Sequence, residues 1–251
     1  MKNSHKKLIE KQNQYEKEGR LNDVIVPFNE SKILHLAKNH NYIKRNIFYR
    51  LTSITVRGIF IVICFFINKF HFRLKIKGRK HLKGIKSAIL TCNHVDNMDN
   101  VMIRQAVFGR RLYITVGYFN NRNDLLGKFM RLVGTFPIPN PNDPNSMRNM
   151  LNFSKAIKHH LKNNNYVLFY PEQSLWHRYE KPRPYKDGAF FFAAKNNVPI
   201  IPMFITWRKN KRHATLHIMK PIHSKDIETL KKINEQQCLE KYQDLTSSST
   251  I

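Results

Sequence analysis

One histidine and one aspartate stand close together where an apolar run ends. The run Ala88–Cys92 is short, continuous and rich in β-forming residues, which is typical of a strand covered on both faces. His94 follows this run, and Asp99 comes five residues later, where a helical pattern begins. A loop-to-helix turn can fold the carboxylate back onto the imidazole, so that it accepts the proton of one ring nitrogen. The other nitrogen is then a general base suited to taking a proton from a substrate hydroxyl.

The same segment offers two other kinds of chemistry. His94, Asp96 and Asp99 could together ligate a divalent metal, but the sequence supplies no clean further ligand pair. Cys92 could act as a thiol nucleophile, although a buried structural cysteine is the more common role for such a position. We therefore expect no metal, and we expect the histidine and aspartate to carry the chemistry.

The elements that position this pair predict an α/β domain. Further continuous apolar runs at 166–170, 198–206 and 215–219 predict strands, and helical patterns at 98–107, 125–133, 146–162 and 188–195 lie between them. This alternation favours a mostly parallel central sheet flanked by helices. Residues 70–77 alternate strictly between apolar and polar side chains, which predicts a half-buried strand near an edge. A final charged helix is expected to begin after a Ser224 cap.

The residues ahead of the sheet predict a membrane-associated helical segment. Residues 1–22 are polar and are expected to be frayed, whereas residues 42–51 are basic and amphipathic. The following stretch, 54–67, has an apolar core of about ten residues, too short for the ~20 that a span requires. We interpret it as a re-entrant or interfacial anchor, with a buried core helix and a true span as alternatives. The expected division is therefore 1–69 for the anchoring region and 70–251 for the α/β domain.

Composition narrows the class of partner. The chain of 251 residues has 44 Lys and Arg against 17 Asp and Glu, a formal net charge of +27. Such an excess indicates an anionic partner, either nucleic acid or a membrane surface. Three cysteines with no closely spaced pair argue against a disulfide framework and favour a reducing compartment. No apolar leader opens the sequence, so we expect the cytoplasmic side of the cell.

Five segments in order resemble the motifs of the glycerol-phosphate and lysophospholipid acyltransferase family. They are NHVDNMD (93–99), GTFPI (134–138), YPEQS (170–174), KDGA (186–189) and VPIIP (198–202). Each segment is weakly specific alone, but their order and spacing together are distinctive, and they cover roughly half of the chain. The hydrophobic helical region ahead of the first motif also fits this family.

The resemblance implies a membrane-associated acyltransferase of phospholipid synthesis with the H-x4-D motif. A fatty acyl group would pass from acyl-CoA or acyl carrier protein, as donor substrate and without a cofactor, to a hydroxyl of a lysophospholipid such as 1-acylglycerol-3-phosphate. His94 would be the general base, oriented by Asp99. The enzyme would lie on the cytoplasmic face of the membrane, peripheral or monotopic, against anionic lipids and without nucleic acid. The residues expected to contact substrate are Asn93, Gly134, Thr135, Phe136, Glu172, Ser174, Arg178 and Lys186. Asn93 is also expected to support the His94 loop by hydrogen bonds.

Two positions depart from the family pattern. Arginines thought to grip the acceptor phosphate would fall near Asn140 and at Leu175, and neither residue here can replace a bidentate cation. A basic insert, WHRYEKPRPYK (176–186), follows the third motif, and Arg148 follows the second. Our hypothesis is that the insert supplies the missing charge through Arg178, Lys181, Arg183 and Lys186, and the alternative is an ordinary solvated loop.

Two other classes of protein remain as alternatives. A basic nucleic-acid-binding protein would explain the charge and the interleaved aromatic residues but not the apolar stretch 54–67. A non-catalytic peripheral membrane protein of the same fold would explain everything except a functional histidine.

Overall fold

The structure, a computed structural model, describes residues 2–26, 28–207 and 213–247. Its centre is a sheet of seven strands in the order β1-β7-β6-β2-β5-β3-β4. Strands β2 to β6 run parallel to one another, while β7 is antiparallel to β6 and β1 is parallel to β7. The strands are Lys75–Lys77, Ala88–Cys92, Leu112–Val116, Thr135–Pro137, Tyr166–Phe169, Ile200–Trp207 and Ala214–Ile218, named β1 to β7 in chain order. The prediction of a mostly parallel α/β sheet flanked by helices is confirmed.

Seven α-helices accompany the sheet in the described residues. They are Lys2–Lys17, Ile47–Phe66, Asp99–Ala106, Leu125–Leu132, Ser146–Lys162, Gly188–Asn196 and Ile227–Ser247, named α1 to α7. Short 3-10 turns lie at Glu30–Lys32, Arg79–Leu82 and Tyr118–Asn120. The expected helices at 98–107, 125–133, 146–162 and 188–195 thus agree with α3 to α6 to within a residue at most ends.

The core lies on both faces of the sheet, which explains the continuous apolar runs. Alternate residues of β2 face opposite ways: Leu90 packs in the cluster that contains Met102 of α3, whereas Ile89 packs with Phe153 of α5 and Phe190 of α6. A strand covered on both sides has no solvent-facing position, so its sequence does not alternate. The three cysteines are free and buried, in agreement with the sequence, whose cysteine spacing argued against disulfides.

Two expectations about local structure were wrong, and two strands were not predicted. Strand β1 occupies only Lys75–Lys77, because α2 continues as a π-helical turn over Ile67–His71, although β1 is the edge strand as predicted. The cap of α7 is Asp226, whose carboxylate accepts from the Thr229 N–H, and not Ser224. Strands β3 and β4 were not predicted. On α5, the apolar side chains of Met147, Met150 and Leu151 are exposed.

The N-terminal segment is ordered against the domain rather than frayed. Gln12 of α1 is buried and its amide donates to the carbonyl of His177. After the helix, the Asn22 amide donates to the carbonyl of Glu172, and the Trp176 indole N–H donates to the carbonyl of Asp23. The prediction missed these contacts because their partners lie some 150 residues further along the chain.

Helix α2 carries a polar stripe on the side that faces the domain. Asn46 caps it by accepting from the Tyr49 N–H. Tyr49, Ser53 and Arg57, spaced four residues apart, donate to the carbonyls of Arg131 and Leu132 at the end of α4. These bonds satisfy carbonyls that the end of a helix leaves without an intrahelical partner.

The opposite side of α2 is apolar and exposed. Phe48 is 76% exposed, and Leu51, Ile59, Val62 and Phe66 on the same side are each more than half exposed. Together with its π-helical turn, α2 runs for 25 residues from Ile47 to His71, long and apolar enough to cross a membrane by length and composition. The helix is therefore longer than the ten-residue apolar core read from the sequence, and it crosses the boundary expected at residue 69.

Candidate active site

The first motif folds as its chemistry requires. His94 emerges beyond the carboxyl end of β2, and Asp99 opens α3, so the loop between them turns through the rim where ligands bind in open α/β sheets. The His94 Nδ1 and the Asp99 Oδ2 are 2.9 Å apart. Since a carboxylate oxygen only accepts, Nδ1 carries the proton and Nε2 holds the free lone pair.

Asp99 is held by more than the histidine. The same oxygen, Oδ2, accepts from the backbone N–H groups of Val95 and Asp96 at 2.9 and 3.1 Å. The side chain is fully buried, and burial raises the pKa of Asp99 while the hydrogen bond from His94 opposes that rise. The carboxylate therefore fixes both the imidazole and the loop that carries it.

An aromatic ring fixes the plane of the imidazole. Tyr170, at the end of β5, stacks on His94 with ring centroids 4.2 Å apart and an interplanar angle of 22°. The His94 side chain remains 21% exposed, so a substrate hydroxyl can approach it. No sequence pattern indicated this contact, because β5 becomes the neighbour of β2 only in the folded sheet.

Asn93 and Cys92 prove to be structural. The Asn93 amide donates to the carbonyl of Ile205 at 3.0 Å, and its oxygen accepts from the Ile205 N–H at 2.8 Å, so both amide atoms tie β2 to β6. Asn93 is 1% exposed, which supports the expected loop-supporting role and leaves nothing for substrate. Burial raises the pKa of the Cys92 thiol well above its usual range, which removes the thiolate that a nucleophile needs.

A buried ion pair holds the loop from the other side. Glu172 accepts from the His94 backbone N–H and forms a 2.6 Å salt bridge with Arg183, and both side chains are almost fully buried. The Arg183 guanidinium also donates to the Ser174 hydroxyl and carbonyl and to the carbonyl of Leu21. We expected Glu172, Ser174 and Arg183 to contact substrate. In the structure their polar groups instead form hydrogen bonds and a salt bridge with one another.

The basic insert pairs with the same loop through its backbone. The Trp176 N–H donates to the carbonyl of His94, and the Arg178 N–H donates to the carbonyl of Val95. The Arg178 guanidinium lies over the Trp207 ring, 4.0 Å from its centroid. Arg178 is exposed, and no hydrogen bond from its guanidinium is found among the described residues.

Comparisons with known proteins identify the family. The model of the family described as Acyltransferase matches residues 73–206, more than half of the chain. The chain belongs to the Acyltransferase family. An uncharacterized acyltransferase of Schizosaccharomyces pombe is 29% identical over 163 residues, which cover 60% of this chain. The chain spans 57% of the length of that relative.

A solved structure shares the fold of this chain. The crystal structure of the 1-acyl-sn-glycerophosphate (LPA) acyltransferase PlsC from Thermotoga maritima superposes with a TM-score of 0.55 at 17% identity. The match covers 80% of this chain and 96% of the bacterial one. This similarity concerns the fold, and it extends over more of the chain than residues 73–206, which the family model matches.

The second motif does not reach His94. Gly134, Thr135 and Phe136 lie at the start of β4, three strand positions from β2, or roughly 14 Å at the usual strand spacing. Phe136 is buried among Tyr42, Tyr113 and Phe153. Gly134 has a φ of +101°, and a Cβ there would lie 2.7 Å from the Arg57 guanidinium, so glycine is required for backbone and packing reasons.

The remaining expected residues are placed as follows. Lys186 is exposed, and its backbone N–H donates to the carbonyl of Pro171, which aligns the insert with the third motif. Lys181 pairs with Glu16 of α1 at 3.1 Å rather than facing His94. The described residues contain no group of three or more His, Cys, Asp or Glu able to hold a metal.

The buried ion pair generates a stability prediction. Replacing Arg183 with Met leaves the Glu172 carboxylate buried without its cation, so we expect the free energy of unfolding to fall by about 3–5 kcal/mol. Lys181→Gln breaks the exposed pair with Glu16 and is the matched control, with an expected loss of about 1 kcal/mol or less. Urea unfolding measures both. Equal midpoints for the two variants would show that Arg183 is not a structural anchor.

Proposed function

We propose that this chain transfers a fatty acyl group from a thioester to a hydroxyl of a lysophospholipid at a membrane surface. The observation that carries the proposal is the His94–Asp99 pair, with Nε2 free at the rim of the sheet, in a chain of the Acyltransferase family. The name of the bacterial structural neighbour supports 1-acylglycerol-3-phosphate as the acceptor. The donor in the proposal is acyl-CoA or acyl carrier protein.

The proposed step balances without a cofactor. Nε2 of His94 takes the proton of the acceptor hydroxyl as its oxygen attacks the thioester carbonyl carbon. The C–S bond breaks as the C–O bond forms, and the thiolate leaves with the proton that the imidazole carried. Asp99 stabilises the imidazolium in between, because its oxygen already accepts from Nδ1.

The acyl-transfer prediction uses release of free thiol from acyl-CoA. We expect thiol release to depend on a lysophospholipid and to fall to background in His94→Ala. In Asp99→Asn we expect kcat to fall by about 10²–10⁴, because the new amide can donate to Nδ1 and move the ring proton to Nε2. His223→Ala, at an exposed histidine, should leave the rate unchanged. An unaltered chain that releases no thiol with any lysolipid acceptor would mark it as a non-catalytic member of the fold.

The second prediction concerns the acceptor phosphate. Arg178 stacks on Trp207 through its face, which leaves its N–H donors for a phosphate, so it substitutes for the arginine that Leu175 replaces. We expect Arg178→Gln to raise KM about tenfold for acceptors that carry a phosphate, with kcat and the KM for a monoacylglycerol little changed. Arg148→Gln, at an exposed arginine of α5, is the control. A KM increase with Arg148→Gln alone would assign the phosphate contact to the second motif instead.

We further propose that the region before the sheet attaches the enzyme to the membrane through α2. The exposed apolar side of α2 supports this, because a contiguous apolar surface of this size is costly in water. The polar stripe that binds α4 keeps the helix on the domain, which supports an interfacial or monotopic attachment. The cytoplasmic face is part of the proposal and follows from the sequence alone. The proposed division, 1–69 for the attaching region and 70–251 for the catalytic domain, then falls within the π-helical turn that ends this helix.

Flotation with phosphatidylcholine vesicles at high salt tests this attachment. Leu51→Ser/Ile59→Ser/Val62→Ser removes three exposed apolar side chains, and we expect at least a tenfold loss of the floated fraction. Ile233→Ser/Leu239→Ser removes two exposed apolar side chains of α7 and is the control, which should float normally. If the α2 variant floats as well as the unaltered chain, α2 is not the membrane contact.

A further inference from the structure

A large cleft lies on the side of the sheet away from His94. It encloses about 1180 Å³ between α2, the loop 34–45 and the edge strand β4. Its lining includes residues just ahead of β3, β4 and β5, at the amino ends of these strands, and the whole of the edge strand β4. His94 follows the carboxyl end of β2, at the opposite rim, and is not among the residues that line the cleft.

The lining of this cleft carries charge of one sign. Eight cationic side chains line it: Lys44, Arg45, Arg50, Arg57, Arg110, Arg111, Lys128 and Arg131. No Asp or Glu lies among the lining residues, and none of the eight cations forms an ion pair within the part of the chain that the structure describes. Cations gathered without counter-charge repel one another, so an anion in the cleft would relieve a standing electrostatic cost.

Two of these cations are half-buried and fixed in place. Arg57 donates to the carbonyl of Leu132 and lies over the Tyr113 ring, 4.6 Å from its centroid. Arg131 donates to the Asn121 amide oxygen and to the carbonyl of Arg122. Both bond only to neutral groups, so their charge is positioned but not neutralised.

Two histidines in the cleft are consistent with a positive potential there. The pKa of His160 is lowered to about 3, first by burial and then by His159, Arg57 and Arg111. The pKa of His40 is lowered to about 4, first by burial and then by Lys44 and Arg131. Both are therefore neutral at physiological pH and can donate or accept a hydrogen bond without adding charge.

We propose that this cleft is a second anion site, which binds a phosphate-bearing ligand. Guanidinium groups match phosphate oxygens bidentately, and the cleft has room for a complete head group or a pyrophosphate. The proposal does not rest on acyl transfer, because it concerns binding alone and His94 is not among the residues that line the cleft. The phosphate has two sources, the head groups of an anionic phospholipid beside α2 or a soluble phosphate compound.

Binding to two probes tests the proposal. The lipid arm measures the phosphatidylglycerol-dependent part of vesicle flotation, and the soluble arm measures calorimetric titration with pyrophosphate. We expect Arg110→Gln/Arg111→Gln/Lys128→Gln, which removes three exposed cations of the cleft, to weaken binding at least tenfold. Lys220→Gln/Lys225→Gln/Lys232→Gln removes the same charge from exposed lysines outside the cleft.

Each outcome decides between the readings. Weaker binding in the cleft variant alone supports the site. If only vesicle binding weakens, the ligand is a lipid head group; if only pyrophosphate binding weakens, the ligand is a soluble phosphate compound. Equal weakening by both triple variants would mean that only net charge matters and would overturn the proposal. Absence of binding in both arms would overturn it as well.

Discussion

The buried carboxylate of Asp99 is the constraint on which the catalytic geometry depends. One oxygen accepts three N–H groups, from the His94 imidazole and from the backbone of Val95 and Asp96. A charge with no exposure to water is tolerated only when such donors surround it, so the loop has little freedom to take another shape. The tautomer of the imidazole and the path of the loop are therefore set by the same atom.

The insert after the third motif reinforces this constraint from outside. Its backbone bonds to the carbonyls of His94 and Val95, and its Arg183 neutralises the glutamate that holds the His94 N–H. The segment around residues 12–23 then covers the insert through Gln12, Asn22 and Asp23. In this basic insert Arg183 therefore has a structural role, whereas Arg178 lies at the surface.

Helix α2 shows why the longest uninterrupted apolar run in a sequence underestimates the length of the apolar side of an amphipathic helix. Arg57 interrupts the apolar run, so the sequence indicated a core of only about ten residues. In the structure Ser53 and Arg57 face the domain and donate to the Leu132 carbonyl, while Leu51, Ile59 and Val62 lie on the exposed apolar side of the helix. Polar residues that bind a neighbouring helix do not shorten the side that faces away from it.

The sequence by itself determined what depends on neighbours along the chain. The alternation of strands and helices and the buried character of β2 follow from local pattern. The four residues between His94 and Asp99 allow the turn that joins them, and the ordered family motifs selected it. Tertiary structure alone decided which distant groups meet: Tyr170 on His94, Arg183 on Glu172, and the cations of α2, α4 and the β3 entry around one cleft. These pairings depend on strand order, and a single sequence carries no local signal for which strands become neighbours.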